Sequence, residues 1–124
     1  MTDKLDEIGF YQLSMSLWDE CWDDASILMK DSRGKEISNQ LIRAVGSISA
    51  NIEEGYGRGY GKEYPQFLRI SRGSAREARG WHKRSNKLLD TITLDAREKK
   101  LSSIIAMLSK SIQTLEEKKK IKLQ

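Results

Sequence analysis

Apolar residues recur at helical spacing through almost the whole of this chain, and a single proline interrupts its 124 residues. Steps of three and four residues place side chains on one face of a helix, whereas a strand would alternate every second residue. The pattern predicts four amphipathic helices, at about residues 8–30, 36–55, 62–89 and 94–119. Each apolar face needs neighbours to cover it, so we expect one all-α domain over residues 1–124, folded as an up-down-up-down antiparallel four-helix bundle.

The first helix carries a stripe at alternating steps of four and three, which we expect to face the core. Its residues are Tyr11, Met15, Trp18, Trp22, Ala25 and Met29. Several apolar residues fall outside the expected stripes and favour contacts between subunits. They are Phe10, Leu13, Leu17, Ile27, Ile42, Ile70 and Ile121.

Three polar or glycine-rich segments are expected to connect the helices. Residues 31–35 contain a glycine and polar residues without an apolar period, which indicates a turn. Residues 55–61 carry four alternating glycines, which disfavour continued helix. Residues 90–93 form the third connection, with Thr93 as the expected N-cap of the last helix. Pro65 is tolerated because it falls in the first turn of the third helix.

The scarcity of cysteine and histidine excludes whole classes of protein. Cys21 is the only cysteine and His82 the only histidine. One cysteine cannot form an internal disulfide, and this pair cannot supply a zinc site or a di-iron helix bundle. No apolar stretch approaches the roughly 20 residues that cross a bilayer, and residues 1–7 are acidic, unlike a signal peptide. We expect a cytoplasmic protein without metal, cofactor or membrane association.

Charge is distributed unevenly along the chain. The net charge is −5 over residues 1–30, +6 over residues 31–89 and +3 over residues 90–124, which together give +4. Such polarity favours either self-association between acidic and basic faces or attraction of a polyanion to the basic part. Composition alone does not separate the two.

The third predicted helix carries a second stripe, which consists of cations and which we call the basic ridge. Steps of three and four place these residues on one side of the helix, roughly opposite its apolar face, with few acidic neighbours to neutralise them. Arginine predominates, and its planar fork matches phosphate oxygens. We expect the ridge to bind nucleic acid, with contact to an acidic neighbouring subunit and plain solvation as the alternatives. The ridge is Arg69, Arg72, Arg76, Arg79, Lys83 and Lys87.

Polar residues beside the core stripe of the second helix indicate a buried structural network that fixes helix register. We expect Arg43 to pair with Glu77 or Glu54. An active site built on these three groups is a weaker hypothesis because no nucleophile or metal accompanies them. The expected network is Arg43, Asn51, Glu54, Arg58 and Glu77.

The glycine-rich connection does not match a nucleotide-binding loop, because no strand precedes it and its spacing differs from the known fingerprints. Its interleaved Tyr56, Arg58 and Tyr60 can stack on the bases of a single strand. The three tryptophans are expected in the core, and His82 is expected to be a hydrogen-bonded histidine in the core or at an interface.

Residues 41–58, from Leu41 to Arg58, resemble the signature of the four-helix-bundle proteins encoded in intervening sequences of bacterial 23S rRNA genes. That family reads Ser-Ile-x-x-Asn-Ile-x-Glu-Gly-x-x-Arg and then, in its third helix, Lys-Glu-Phe/Tyr, Phe-Leu-x-Ile-Ala-x-Gly-Ser and Glu-Leu-Glu. The matching residues here are Ser47, Ile48, Asn51, Ile52, Glu54, Gly55, Arg58, Lys62, Glu63, Tyr64, Phe67, Leu68, Ile70, Gly73, Ser74 and Glu77.

The resemblance implies a left-handed up-down bundle that assembles as a homopentameric barrel. It also implies a relationship to the accessory proteins of diversity-generating retroelements, which bind a reverse transcriptase and nucleic acid through basic surfaces. Arg79 replaces the second glutamate of the family's Glu-Leu-Glu, and Arg76 occupies a usually neutral position, so this third helix is more basic than the pattern.

Taken together, these features predict a non-enzymatic homo-oligomer that binds the RNA or DNA backbone non-specifically through the basic ridge. The resemblance adds the expectation that it is an accessory subunit of a reverse transcriptase. The alternative is a protein-interaction scaffold whose ridge contacts a protein partner.

Overall fold

The structure is a computed structural model that describes residues 3–59 and 61–123. A short 3-10 helix at Lys4–Glu7 precedes four α-helices. No strand occurs within the described residues, so the all-α, four-helix prediction is confirmed. Each helix packs against two others, so that α1 and α3 both contact α2 and α4. The helices are α1 (Gly9–Leu28), α2 (Ser32–Gly57), α3 (Glu63–Arg84) and α4 (Thr91–Leu123).

The first connection is shorter than the sequence predicts, because α2 begins at Ser32. The Asp31 carboxylate accepts a hydrogen bond from the Arg33 backbone N–H at 2.8 Å and so caps α2. Gly34, which we expected in the turn, lies buried within α2. A Cβ atom at this position would collide with the carbonyl oxygen of Leu28. Glycine therefore lets the end of α1 approach α2 closely.

The third connection also differs from the expectation. Helix α3 ends at Arg84, so Lys87 lies in the connection and not on the helix. Helix α4 begins at Thr91, and Thr93 is not its N-cap. The Asp90 carboxylate accepts a hydrogen bond from the Thr93 backbone N–H at 2.7 Å and takes that role instead.

The apolar stripes that the sequence predicts for α2 and α4 face the core. They are half-buried at Ile37, Leu94 and Leu115, and buried at Leu41, Ala44, Val45, Ile48, Ile52, Leu101, Ile104, Ile105, Leu108 and Ile112. Of the face predicted for the third helix, Phe67 and Trp81 are half-buried. Its other residues are buried, namely Tyr64, Leu68, Ser71, Ala75, Ala78 and His82 on α3, and Ser85 and Leu89 in the connection that follows. The second connection follows Gly57, and Gly59 within it has a φ of 91°, a conformation that glycine adopts without strain.

The predicted core stripe of α1 is only partly correct, because Tyr11 and Ala25 are buried and Trp18 is half-buried, whereas its other three residues are exposed. Met15 is 38% exposed, Trp22 66% and Met29 46%. Two apolar stripes lie side by side on this helix. The buried one also contains Ser14, whose hydroxyl donates to the Phe10 carbonyl oxygen, and Asp24, which pairs with Arg97 on α4. The buried residues of α1 are Phe10, Tyr11, Ser14, Leu17, Cys21, Asp24, Ala25 and Leu28.

Candidate nucleic-acid interface

The basic ridge lies along the side of α3 that borders α4. Arg72 and Arg79 are half-buried at this seam, whereas Arg69, Arg76 and Lys83 are exposed. The ridge therefore flanks the buried face of α3. The sequence had placed the ridge roughly opposite that face, and this expectation is wrong. Helix α4 packs beside the ridge, so the acceptor groups on α4 determine which of these cations are paired.

Acceptors on α4 hold three of the ridge arginines. Arg69 forms an ion pair with Glu116. The Arg72 guanidinium donates to the hydroxyl of Ser109 at 3.2 Å, and Arg79 Nε lies 4.0 Å from Glu98 Oε1. These contacts are at or near the surface, so each contributes little stability but orients its guanidinium along the seam.

Arg76 and Lys83 complete the outward edge of the ridge. Both are exposed, and neither forms a hydrogen bond or ion pair within the described part of the chain. Where α3 begins, a groove between α3 and α4 adds the side chains of Lys62, Lys118 and Lys119 beside Arg69. The positive surface therefore continues from the ridge to the far end of α4.

The expected polar network forms only in part, and near the surface. Asn51 donates from Nδ2 to the carbonyl oxygen and hydroxyl of Ser47, at 2.8 and 2.9 Å. The Ser47 hydroxyl in turn lies 2.8 Å from that of Ser74 on α3. This half-buried chain of hydrogen bonds joins α2 to α3 through residues of the family-like signature.

Arg58 forms a second cluster, where α2 ends. Its guanidinium is 2.8 Å from Glu54 and 3.4 Å from Glu63, and it lies over the ring of Phe67 at 5.4 Å. Tyr56 packs edge-on against Tyr64, with ring centroids 6.1 Å apart, and is half-buried. Tyr60, the other tyrosine of the expected stacking segment, lies outside the described residues.

The expected pairing of Arg43 with Glu54 or Glu77 is absent from the described residues. Arg43 and Glu77 are both exposed on the outer faces of their helices, and Glu54 is engaged by Arg58. The three groups do not converge on one pocket or on the core.

Sequence reasoning missed a charged network that joins α1, α3 and α4. Asp24 is 1% exposed, and its carboxylate receives hydrogen bonds from Arg97 at 2.7 and 3.0 Å. His82, 2% exposed, lies with Nε2 3.2 Å from the same carboxylate and Nδ1 3.1 Å from the Ala78 carbonyl oxygen. His82 is thus the hydrogen-bonded core histidine that the sequence predicted.

The network continues outward from Arg97. Glu20 forms ion pairs with both Arg97 and Lys100, and Lys100 also donates to the Ser16 hydroxyl at 2.8 Å. The sequence hinted at Asp24 alone, because this residue shares a helical face with the apolar residues Leu17, Cys21 and Leu28, and it did not indicate the partner on α4.

Burial and neighbouring charges shift the pKa values of two groups in this region. Burial raises the pKa of Asp24, but hydrogen bonds from His82 and Arg97 outweigh it and hold that pKa below its ordinary value. Burial, with a smaller contribution from the Asp24 charge, raises the pKa of the Cys21 thiol to about 12. Asp24 is therefore ionised at neutral pH, and Cys21 is an uncharged core residue.

None of the described helices has the length and apolar character that a membrane span requires.

Comparisons with known proteins identify the family. The family of 23S rRNA-intervening sequence proteins matches residues 6–110. No curated protein matches significantly. A solved structure from Bacteroides thetaiotaomicron, described as a protein of unknown function from the S23 ribosomal protein family, is similar with a TM-score of 0.77. The alignment has 18% identity and covers 83% of this chain and 97% of that one, which supports the fold. The chain therefore belongs to the 23S rRNA-intervening sequence protein family.

Proposed function

We propose that this protein is a non-enzymatic, homo-oligomeric helical bundle that binds the backbone of RNA or DNA through the basic ridge. One observation carries the proposal: Arg76 and Lys83 are exposed and unpaired within the described residues, beside arginines that α4 holds in place. Cations fixed on a rigid helix attract phosphates and release their counterions.

The length and chemistry of the ridge fit the phosphates of a nucleic-acid backbone. The span from Arg69 to Lys83 is about 21 Å of helix, enough to follow several phosphates of one strand. Glu98 and Glu116 already place carboxylate groups on two of its arginines, and a phosphate offers the same paired oxygens. Contacts of this kind position a backbone and do not read bases, so we expect no sequence specificity.

The finer parts of the proposal rest on the family resemblance. It supports a homopentamer and a role beside a reverse transcriptase in a diversity-generating retroelement. The cytoplasm is the compartment that fits a nucleic-acid-binding role.

The test is fluorescence anisotropy of labelled single-stranded RNA and duplex DNA, titrated with protein at several salt concentrations. We expect binding that weakens steeply as salt rises. The R76E/K83E double variant removes the two unpaired cations, and losing two phosphate contacts should reduce the magnitude of the logarithmic salt slope by about 1.4 for a single strand.

A K30E/K35E double variant is the matched control, because it makes the same change in net charge at exposed positions away from α3. It should bind nearly as well as the wild type. Both variants must keep the wild-type mass in solution. If the two variants weaken binding equally, net charge is responsible and not the ridge. If the wild type fails to bind even at low salt, the ridge contacts a protein, as in the scaffold alternative.

A further inference from the structure

The groove between α3 and α4 lies at the end of the basic ridge. It has a volume of about 800 Å³ and separates the first turns of α3 from the last turns of α4. We call it the lysine groove, after Lys62 on the side of α3 and Lys118 and Lys119 on α4. Lys62 precedes the ridge residue Arg69 by two helical turns, so the groove continues the line of the ridge by about 10 Å.

Both carboxylates that line the lysine groove are engaged by arginines. Glu116 forms an ion pair with Arg69, and Glu63 lies 3.4 Å from Arg58. The three lysines are exposed, and none of them forms a hydrogen bond or ion pair within residues 3–59 and 61–123. An anion that enters the groove therefore meets three ammonium groups that no carboxylate in this part of the chain pairs with.

The cations of the groove differ in type from those of the ridge. Arginine predominates on the ridge, and its planar fork binds a pair of oxygens in a fixed geometry. The ammonium group of lysine is a compact charge on a flexible stem, so several lysines can gather around one group. Three lysines in one groove thus suit a single group of high charge, whereas the ridge suits a row of singly charged groups.

Part of the groove wall is apolar. Pro65 and Leu115 line it, and both are half-buried. A sugar and base attached to the anion can cover this apolar surface, which an inorganic ion would leave exposed to water. The groove therefore fits a nucleotide that carries a highly charged phosphate.

We infer that the lysine groove binds the terminal phosphate of a strand whose backbone lies on the basic ridge, an inference that rests on the proposed function. A phosphate within a strand carries one negative charge, whereas a terminal phosphate monoester carries about −1.5 to −2 and offers three acceptor oxygens. Because α3 begins at Glu63, the row of cations on this helix ends at the groove, where the end of a bound strand would lie.

Three single-stranded RNAs of one sequence test the inference. One carries a 5′ phosphate, one a 3′ phosphate and one a hydroxyl at both ends, and each is labelled internally so that its ends are free. In anisotropy titrations we expect at least one phosphorylated RNA to bind about fivefold more tightly than the hydroxyl-ended RNA, because its end adds charge-assisted contacts to the lysines. Comparing the two phosphorylated RNAs shows which end of the strand the groove holds.

Two double variants locate the effect. K118S/K119S removes two lysines of the groove, and K30S/K35S is the matched control, because it removes the same charge at exposed positions away from α3. The affinity ratio of phosphorylated to hydroxyl-ended RNA should fall toward one in K118S/K119S and stay at the wild-type value in K30S/K35S. Circular dichroism should show both variants folded, since all four side chains are exposed.

The outcomes separate this inference from the proposed function. If hydroxyl-ended RNA binds as tightly as both phosphorylated RNAs, the inference is overturned while the proposed function stands. The inference is also overturned if K118S/K119S keeps the preference, or if K30S/K35S loses it equally, since net charge would then be the cause. If none of the three RNAs binds, the proposed function is wrong and the inference falls with it.

Discussion

The carboxylate of Asp24 on α1 and the guanidinium of Arg97 on α4 face each other through two parallel hydrogen bonds, with Nε 2.7 Å from Oδ2 and Nη2 3.0 Å from Oδ1. The fork of arginine matches both carboxylate oxygens, which fixes the rotation of each helix as well as their separation. His82 adds a contact from α3. Three helices thus share one buried carboxylate, and the rotation of α1 follows from it.

Removing the charge of Asp24 should destabilise the bundle. Asp24→Asn leaves Arg97 and His82 without their anionic partner, and breaking such a buried pair costs about 3 kcal/mol. Because the pKa of Asp24 in the folded protein is below its ordinary value of 3.8, this stabilisation is present above that pH and is lost as pH falls through the lower value.

Urea denaturation at neutral pH and in acid measures this effect. The difference between wild type and D24N should be largest at neutral pH and should shrink below about pH 4. Asp19→Asn is the control, since Asp19 is exposed and unpaired within the described residues, and it should change stability by less than about 0.5 kcal/mol. Equal stability of wild type and D24N at neutral pH would contradict this account.

The Cys21 thiol should be nearly unreactive while the protein is folded. Its pKa of about 12, against an ordinary 9.0, lowers the thiolate fraction about a thousandfold at neutral pH, and the side chain is 2% exposed. Ellman's reagent should therefore modify it at a rate set by unfolding. An exposed reference cysteine, S103C in a C21S background, should react at once. Comparable rates for the two thiols would refute the buried placement.

Two glycines within helices should respond oppositely to alanine. At Gly34 a Cβ would collide with the Leu28 carbonyl oxygen, so G34A should destabilise the bundle by about 1–3 kcal/mol. At Gly73 nothing lies within 4 Å of an added Cβ, so G73A should stabilise the bundle by about 0.5–1 kcal/mol through helix propensity. Thermal melts of both variants measure this difference, and a shift in the same direction for both would count against it.

Releasing a ridge arginine from α4 should strengthen nucleic-acid binding if the proposed function holds. Glu116→Gln removes the carboxylate that engages Arg69. Glu117→Gln makes the same charge change one residue later, where the carboxylate contacts Gln113 and not the ridge. Anisotropy titrations should show tighter RNA binding for E116Q than for E117Q. Identical affinities would mean that Arg69 does not contact phosphate.

The sequence predicted the four helices correctly, but it did not identify which face of every helix is buried. The stripe of α2 is one apolar face with polar flanks, so its period identified the buried side correctly. Helix α1 has two adjacent apolar stripes, and the period could not choose between them. The choice depends on Asp24, whose partner Arg97 is 73 residues away in the chain. A single sequence contains no signal for a pairing at that separation.

The sequence also predicted the basic ridge only in part: it placed the cations on α3 but did not indicate their partners on α4. Spacing alone placed Arg69, Arg72 and Arg79 on one side of α3. The sequence could not show that Glu116, Ser109 and Glu98 on α4 would reach them, because packing of α4 beside α3 sets that register. It also missed Asp90 as the cap of α4, although aspartate ranks above threonine at this position, because the connection was expected to extend to Thr93.

Helix α1 contacts α2 mainly through apolar packing and contacts α4 partly through ion pairs. Toward α2, the ring of Trp18 packs over Gly46. Toward α4, Glu20 and Asp24 form ion pairs with Arg97, and Glu20 forms another with Lys100. Acid removes the charge of a carboxylate without weakening an aromatic contact. Acid should therefore separate α1 from α4 before it separates α1 from α2, and amide hydrogen exchange along α1 and α4 should rise while the α2–α3 pair stays protected.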